Sequence, residues 1–272
     1  MSIRDFKELV ALKEVGRIVR LALEAMTVRV RPGISTADLA EIGAGVMRRN
    51  GARSAPALVY SFPGEICISL NDEAVHGIPA ASRRVRAGDL VKLDVTFEKD
   101  GYMADAAVTV VVEPATDEAR NLAACAERAS RQALRYATAG CRLNEVGRAV
   151  EQETRRSGFR VIRELGGHGI GRTIHEPPHV PNYDDPSALT RLTEGLVPTI
   201  EPIIAAGPAR AILAPSEGWL TRPSSTTGPS VKDVLITPCK GCHETEHTRS
   251  VPAGVGASAP TLKAVIATGF SP

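Results

Sequence analysis

The sequence predicts an α+β fold in which a helix–helix–strand unit occurs twice. A hairpin is indicated at Asp100–Gly101, because apolar and polar residues alternate on both sides of this two-residue turn. Residues 3–26 carry apolar positions at helical spacing. Residues 33–51 and 140–158 form a repeat, since each runs 19 residues from glycine to glycine and ends in Arg-Arg-x-Gly. A duplicated unit would have a site at the junction of its halves. The alternative is a chance likeness between two amphipathic helices.

The other elements follow from local signals. Ser35 is a helix cap and Asn50–Gly51 a helix stop. The glycine-rich run 166–171 is too flexible for a helix and lacks the strand-to-helix context of a nucleotide-binding loop. Beyond residue 219 the chain becomes rich in Ser, Thr and Pro and loses its periodicity. A further helix is predicted over 116–138, and strands over 56–60, 65–70, 89–112 as the hairpin, and 195–205 with interruptions at Pro198 and Pro202.

Bulk composition excludes several classes of protein. The 272 residues suit one large domain or two small ones, with 43% hydrophobic and 24% charged residues. A net charge of +2 and only 4% aromatic residues give no case for a nucleic-acid partner. No apolar run is long enough to span a membrane, and the N-terminus has no signal-peptide block. Five cysteines at irregular spacing argue against a disulfide framework. We therefore expect a reduced, cytoplasmic protein that makes no contact with membranes. We also expect a monomer.

Two carboxylates lie within the apolar sequence of the hairpin. If the turn is centred on Asp100–Gly101, Asp94 lies opposite Ala107, and Asp105 projects from the same face. Diagonal neighbours on one face are about 7–8 Å apart, so both carboxylates can reach one cation. The alternative is two solvated aspartates on an exposed face. The neighbouring apolar residues favour burial: Val91, Leu93, Val95 and Phe97.

Further polar groups stand in apolar or glycine-rich surroundings. Glu201 lies in Val-Pro-Thr-Ile-Glu-Pro-Ile-Ile, where a carboxylate needs a partner or a metal. His168 is flanked by two glycines that allow close approach of backbone or ligand. Oxygen ligands with one imidazole suit Mn, Fe, Co or Zn, and bridging carboxylates allow a two-metal centre about 3.5–4 Å across. His76 and His175 are either turn residues or donors to a developing oxyanion or a leaving amide.

Four ordered segments resemble methionine aminopeptidases of the type I class. They are NDEAVHGIP at 71–79, VKLDVTFEKDGYMADAA at 91–107, GGHGIGRTIHEPPHVPNY at 166–183 and EGLVPTIEPII at 194–204. The resemblance covers about residues 3 to 219. It implies the pita-bread fold of family M24, with pseudo-two-fold halves around a curved antiparallel sheet. It also implies two divalent metal ions (Co, Mn, Fe or Zn) and a metal-activated hydroxide. The implied reaction removes the initiator methionine of nascent polypeptides at the ribosome when the next residue is small.

The resemblance also implies a role for each matching residue. Asp94 would chelate one metal and Asp105 would bridge both, while His168 and Glu201 would bind the second. Glu201 would also shuttle a proton.

Five other positions match the parts of that family that hold the substrate, and a sixth departs from them. His76 would contact the scissile amide, and His175 would stabilise the tetrahedral intermediate. Ile174 stands where the family often has an aromatic residue, which alters the expected pocket shape. The expected methionine pocket consists of Phe62, Cys67 and Trp219.

The fifth ligand of the resembled family, a bridging glutamate, is not evident in this chain. The family's spacing from the tryptophan, counted from Trp219, puts Asp233 at the ligand position, whereas the only Glu-His-Thr motif contains Glu246. Aligning on Val-Leu-Ile-Thr instead puts Val231 at that position, and valine cannot bind a metal. We therefore expect a catalytic domain over 1–237 and a divergent tail over 238–272. Divergence or a reading-frame shift in the gene would explain the change after Trp219.

Short motifs in the tail resemble metal and cofactor sites of other protein classes. Cys239–His243 spells a c-type haem attachment site and His243–Glu244-Thr-Glu-His247 a zincin site. Neither has the export signal or the amphipathic helix that its chemistry needs. A remaining alternative is metal binding by Cys239, Cys242 and His247.

Three functions fit the sequence. The first is a metal-dependent aminopeptidase for initiator methionine. The second is a peptidase of the same fold that cuts before proline. Two features argue against it: the segment NDEAVHGIP and the short interval from His168 to Glu201. The third is a catalytically impaired protein that only binds peptides, which the missing fifth ligand favours.

Overall fold

A computed structural model describes residues 3–208, 210–213, 221–223, 230–232 and 235–236. Within these residues, no helix combines the length and the apolar composition that crossing a bilayer requires. The helices are α1 Phe6–Thr27, α2 Thr36–Arg49, α3 Ala55–Tyr60, α4 Asp117–Leu134 and α5 Leu143–Arg156. The strands are β1 Arg53–Ser54, β2 Cys67–Leu70, β3 Leu90–Lys99, β4 Tyr102–Val111, β5 Arg160–Val161, β6 Gly166–Gly169, β7 Glu176–Pro181, β8 Thr199–Ile200, β9 Ile203–Ala205, β10 Ala211–Leu213, β11 Thr221–Pro223, β12 Ser230–Lys232 and β13 Leu235–Ile236.

The β3–β4 hairpin is the centre of the first half and has the predicted register. Asp94 pairs with Ala107, and Thr96 pairs with Asp105. Asp100 and Gly101 both have positive φ, at 53° and 82°, as a tight two-residue turn between twisted strands requires. β1 and β2 pair with the other edge of β3. The turn therefore determines which side chains share a face with the two carboxylates.

The two faces of the hairpin have different partners. The side chains of Val91, Leu93, Val95 and Phe97 are fully buried in one apolar cluster that α1 and α2 also form. Asp94, Thr96 and Asp105 alternate with these residues and line a cavity on the opposite side of the sheet. The helices thus cover one face, and the polar residues are left to a site on the other.

The predicted repeat is visible in equivalent contacts of the two halves. Gly33, before α2, donates from its N–H to the Val85 carbonyl at 2.8 Å, and Gly140, before α5, donates to the Leu192 carbonyl at 2.8 Å. Both glycines have φ near 90°, a conformation that side chains disfavour. The guanidinium groups of Arg84 and Arg191 donate to the carbonyls of the same two glycines. Each half is therefore a long helix, a 14-residue helix and a strand.

The second half has its own apolar cluster and a short strand ladder. α4 and α5 pack with Leu90, Ile200 and Ile204. The predicted run over 195–205 forms β8 and β9, which are interrupted around Pro202 and pair with β13 and β12. Glu201 lies between the two strands, so its side chain is placed by the ladder on both sides.

The predicted strand over 56–60 is wrong, because these residues form helix α3. The Ser54 hydroxyl accepts a hydrogen bond from the Ala57 N–H at 3.3 Å and caps the helix. Pro56 lies in the first turn, where a missing N–H costs nothing. A cap with a proline outweighs the strand preference of Val59 and Tyr60.

Candidate metal centre

Three side chains from separate parts of the chain bring their donor atoms together. Atoms of Asp105, His168 and Glu201 all lie within 4.8 Å of one another. His168 Nε2 is 3.0 Å from Glu201 Oε1 and 4.0 Å from Asp105 Oδ2. Both carboxylates are only 4% exposed. Two buried negative charges in contact with one imidazole need a compensating positive charge.

Asp94 adds a fourth candidate ligand on the same cavity. It is 8% exposed, and its pair with Ala107 lies two residue pairs from the Thr96–Asp105 pair along the β3–β4 ladder. On its other side Asp94 pairs with Cys67 of β2. The hairpin therefore holds both aspartates on one rigid surface.

The imidazole of His168 is oriented by its own strand. Nδ1 lies 2.9 Å from the Gly169 carbonyl, which can only accept, so Nδ1 carries a proton and Nε2 is the nitrogen that would bind a metal. Such a bond on the distal nitrogen is typical of metal-ligating histidines. Burial lowers the pKa of His168, but the Glu201 and Asp105 carboxylates raise it by more, so the net shift is upward.

Glycines beside His168 let neighbouring strands come close. A Cβ at Gly167 would lie 2.2 Å from the Thr199 carbonyl oxygen, and one at Gly169 would lie 2.3 Å from the Pro177 carbonyl oxygen. Both contacts are too short for any side chain. The glycines are therefore required for β6 to pack between β8 and β7.

Glu201 is held at both its side chain and its backbone. The Thr199 hydroxyl donates to Glu201 Oε1 at 2.5 Å and accepts the N–H of His168 at 2.9 Å. The Asn182 side-chain amide donates to the Glu201 carbonyl at 2.6 Å. Thr199 thus links two of the candidate ligands directly.

This donor set fits a divalent cation. Carboxylate oxygens with a single imidazole, and no thiolate within the cluster, suit Mn, Fe, Co or an oxygen-rich Zn site. The positions, the burial and the histidine tautomer agree with that chemistry. Asp94, Asp105, His168 and Glu201 are the residues that would hold the metal.

The candidate ligands line a cavity of about 480 Å³ together with the predicted substrate residues. His76 and His175 lie on its wall, and the ring of His175 stands edge-on to that of His168 with centroids 4.2 Å apart. His76 has a φ of 60°, a strained conformation for a histidine. The apolar wall includes Phe62, Cys67 and Ile174.

Sequence reasoning missed four residues that belong to this site. Tyr60 lines the cavity and lies within hydrogen-bond distance of His175, but it falls in the segment mistaken for a strand. Glu164 and His179 also line the cavity, without any sequence signal beyond their closeness to the predicted motifs. Thr199 could have been found, because its position two residues before Glu201 in a strand places both on one face.

The remaining predictions concern residues that are mostly outside the described part of the chain. Trp219, Asp233, Glu246 and the Cys- and His-rich motifs of the tail all lie there. Val231 is described: it pairs with Ile204 and is fully buried in the second apolar cluster. As expected, it offers no ligand atom.

Comparisons with known proteins identify the family of the chain. The model of metallopeptidase family M24 matches residues 10–248. Methionine aminopeptidase 2 of Bacillus subtilis is 44% identical over 220 residues, covering 80% of this chain and 88% of that protein.

Solved structures show the same fold. Methionine aminopeptidase from Rickettsia prowazekii superposes with a TM-score of 0.83 at 28% identity, covering 88% of this chain and 96% of that one. A prolidase from Pyrococcus furiosus gives a TM-score of 0.65 at 22% identity, covering 88% of this chain and 63% of that one, and shares the fold alone. The predicted pita-bread fold is confirmed, and the chain belongs to metallopeptidase family M24.

Proposed function

We propose that this protein removes the N-terminal methionine of polypeptides in a metal-dependent hydrolysis. The observation that carries the proposal is the cluster of Asp105, His168 and Glu201, buried in one cavity with Asp94. The relatives named methionine aminopeptidase support the reaction class. We assign the metal-binding role to these four side chains.

The chemistry of each group follows from its position. Divalent cations held by this cluster would polarise a carbonyl and lower the pKa of a bound water. Glu201, which lines the cavity and accepts a hydrogen bond from Thr199, accepts and returns the proton of the attacking water. His175 donates to the carbonyl oxygen as it gains negative charge, and His76 donates to the scissile amide.

The apolar part of the cavity supplies selectivity for methionine. Phe62, Cys67 and Ile174 are each about 5% exposed and offer an apolar surface to an unbranched thioether side chain. We place Trp219 in the same pocket and restrict the second substrate residue to small side chains. Methionine makes favourable contacts with aromatic rings, which suits Phe62.

We place the protein in the cytoplasm as a monomer that acts on nascent chains at the ribosome. The thiols of Cys125 and Cys141 form no disulfide, which suits a reducing compartment. Nucleic acid and membranes are not among the proposed partners.

A second candidate function has one observation in its favour. Val231 is apolar and buried at a position where one alignment expects a fifth ligand. A chain without that ligand would bind peptides and hydrolyse them slowly or not at all. Asp233 and Glu246 are the residues that would supply the missing carboxylate.

One panel of peptides separates these functions. Metal-free protein is supplied with Mn²⁺, Co²⁺ or Fe²⁺ and offered Met-Ala-Ser, Met-Trp-Ser and Ala-Pro-Ser, and the released amino acid is quantified. We expect release of methionine from Met-Ala-Ser, little from Met-Trp-Ser and none from Ala-Pro-Ser. Cleavage of Ala-Pro-Ser alone would instead identify a peptidase that cuts before proline. No release with any metal would favour the binding-only protein.

A further inference from the structure

Tyr60 makes a contact across the cavity that no predicted role explains. Its hydroxyl oxygen lies 2.5 Å from Nδ1 of His175, a residue 115 positions away in the chain, and the ring centroids are 5.5 Å apart. Tyr60 is the last residue of α3, where Ser61 turns the chain away with a φ of 53°. The helix cap at Ser54 and this turn together fix where the phenol lies.

The direction of this hydrogen bond decides the tautomer of His175. A phenol hydroxyl keeps its proton at neutral pH and can donate it, and burial raises the pKa of Tyr60 further. A neutral imidazole carries one proton, so a nitrogen that accepts leaves the proton on the other nitrogen. If the Tyr60 hydroxyl donates to Nδ1, the proton of His175 is on Nε2.

The backbone around His175 is fixed independently of Tyr60. Glu176 Oε1 accepts the N–H groups of Arg172 and Thr173 at 2.7 and 2.9 Å, which closes the turn that carries His175. The ring of His175 packs edge-on against His168. The backbone therefore places the ring in the cavity, where the Tyr60 hydroxyl contacts its Nδ1 atom.

We propose that Tyr60 is a positioning residue that acts through His175. Its hydroxyl donates to Nδ1 and holds the imidazole as the Nε2–H tautomer, so that Nε2–H is the group that donates to the substrate carbonyl oxygen. This inference rests on the proposed function for its catalytic consequence, but the tautomer itself is a property of the free protein.

The tautomer is measured directly by NMR. Nitrogen-15 spectra of histidine-labelled, metal-free protein are recorded above the imidazole pKa, with His175→Gln to assign the signals. We expect the Nε2–H form of His175 in the wild type and in Tyr136→Phe, a control at an exposed tyrosine. In Tyr60→Phe, which removes only the hydroxyl, a mixture of both tautomers is expected. An unchanged spectrum in Tyr60→Phe would overturn the proposal.

Kinetics test whether Tyr60 acts through His175. With Met-Ala-Ser, Tyr60→Phe should lower kcat roughly tenfold to a hundredfold with little change in KM, as for a weakened oxyanion donor. Adding Tyr60→Phe to His175→Ala should lower kcat no further, because the group it orients is gone. An equal loss in both backgrounds would contradict the proposal. If the wild type releases no methionine, the proposed function fails, while the NMR spectra still decide the role of Tyr60.

Discussion

At the scale of single residues, Thr199 is the clearest support of the candidate metal ligands. One hydroxyl both donates to Glu201 and accepts the His168 N–H, and the side chain is fully buried. Groups that orient metal ligands in this way are worth about 10–100-fold in metal affinity. The cost of losing the hydroxyl should therefore appear in metal binding rather than in folding.

We predict that Thr199→Val weakens Mn²⁺ binding about 10–100-fold while leaving the fold intact. Isothermal titration of metal-free protein measures this. Thr154→Val is the matched control, because the Thr154 hydroxyl is also buried and donates to the Val150 carbonyl at 2.8 Å, but contacts none of the candidate ligands. Equal Mn²⁺ affinity in Thr199→Val and the wild type would show that Thr199 does not support the ligands.

The residues predicted from sequence are those whose position follows from a short-range rule. Asp94 and Asp105 were placed correctly because a two-residue turn at Asp100–Gly101 sets the face of every residue in the hairpin. Tyr60 was missed because its partner, His175, is 115 positions away and no local pattern connects them. Contacts of that kind depend on the assembled fold.

At the scale of elements, the β3–β4 hairpin depends on Glu98 at its turn. One carboxylate oxygen accepts the Gly101 N–H at 2.7 Å and the other accepts Arg53 Nε at 2.7 Å. Burial raises the pKa of Glu98, but these hydrogen bonds lower it by more, so the net shift is below the ordinary value of 4.5. The carboxylate is thus more easily ionised in the folded protein than in the unfolded chain.

That depressed pKa makes the stability of the hairpin depend on pH. A group whose folded pKa is lowered stabilises the fold above its unfolded pKa and loses this as pH falls through the folded value. We predict that Glu98→Gln destabilises metal-free protein by about 1 kcal/mol at pH 7, and that the difference from the wild type shrinks below about pH 4. Urea unfolding at a series of pH values measures it.

Glu127→Gln is the control for this prediction, because Glu127 forms an exposed ion pair with Arg131 on α4. Such pairs contribute little. A difference between Glu98→Gln and the wild type that is constant from pH 7 to pH 3 would contradict the role of the Glu98 charge.

Secondary structure was predicted correctly where a periodic pattern extends over many residues. It was predicted wrongly where a single helix cap determines the structure. α1, α2, α4 and the hairpin follow long amphipathic or alternating patterns, and all four were anticipated. α3 has only six residues, and Ser54 with Pro56 outweighs the strand-forming preference of its end. The error mattered, because α3 carries Tyr60 into the cavity.

At the scale of the whole molecule, the candidate site joins the two halves. Asp94 and Asp105 come from the hairpin of the first half. His168 comes from β6 of the second half, and Glu201 lies between β8 and β9. The repeat predicted from residues 33–51 and 140–158 thus locates the site as well as the fold. A cation held between the halves would bind the folded state only and therefore stabilise it.

The most direct test of this account is the rate of methionine release from Met-Ala-Ser as Mn²⁺ is titrated into metal-free protein, with Asp105→Asn beside the wild type. Asp105→Asn keeps the size of the side chain but removes its charge from the cluster. We predict no release without metal, a saturable rise in the wild type, and a rate at least roughly a hundredfold lower in Asp105→Asn. Release that persists after chelation, or that is as fast in Asp105→Asn, would contradict a metal centre at this site.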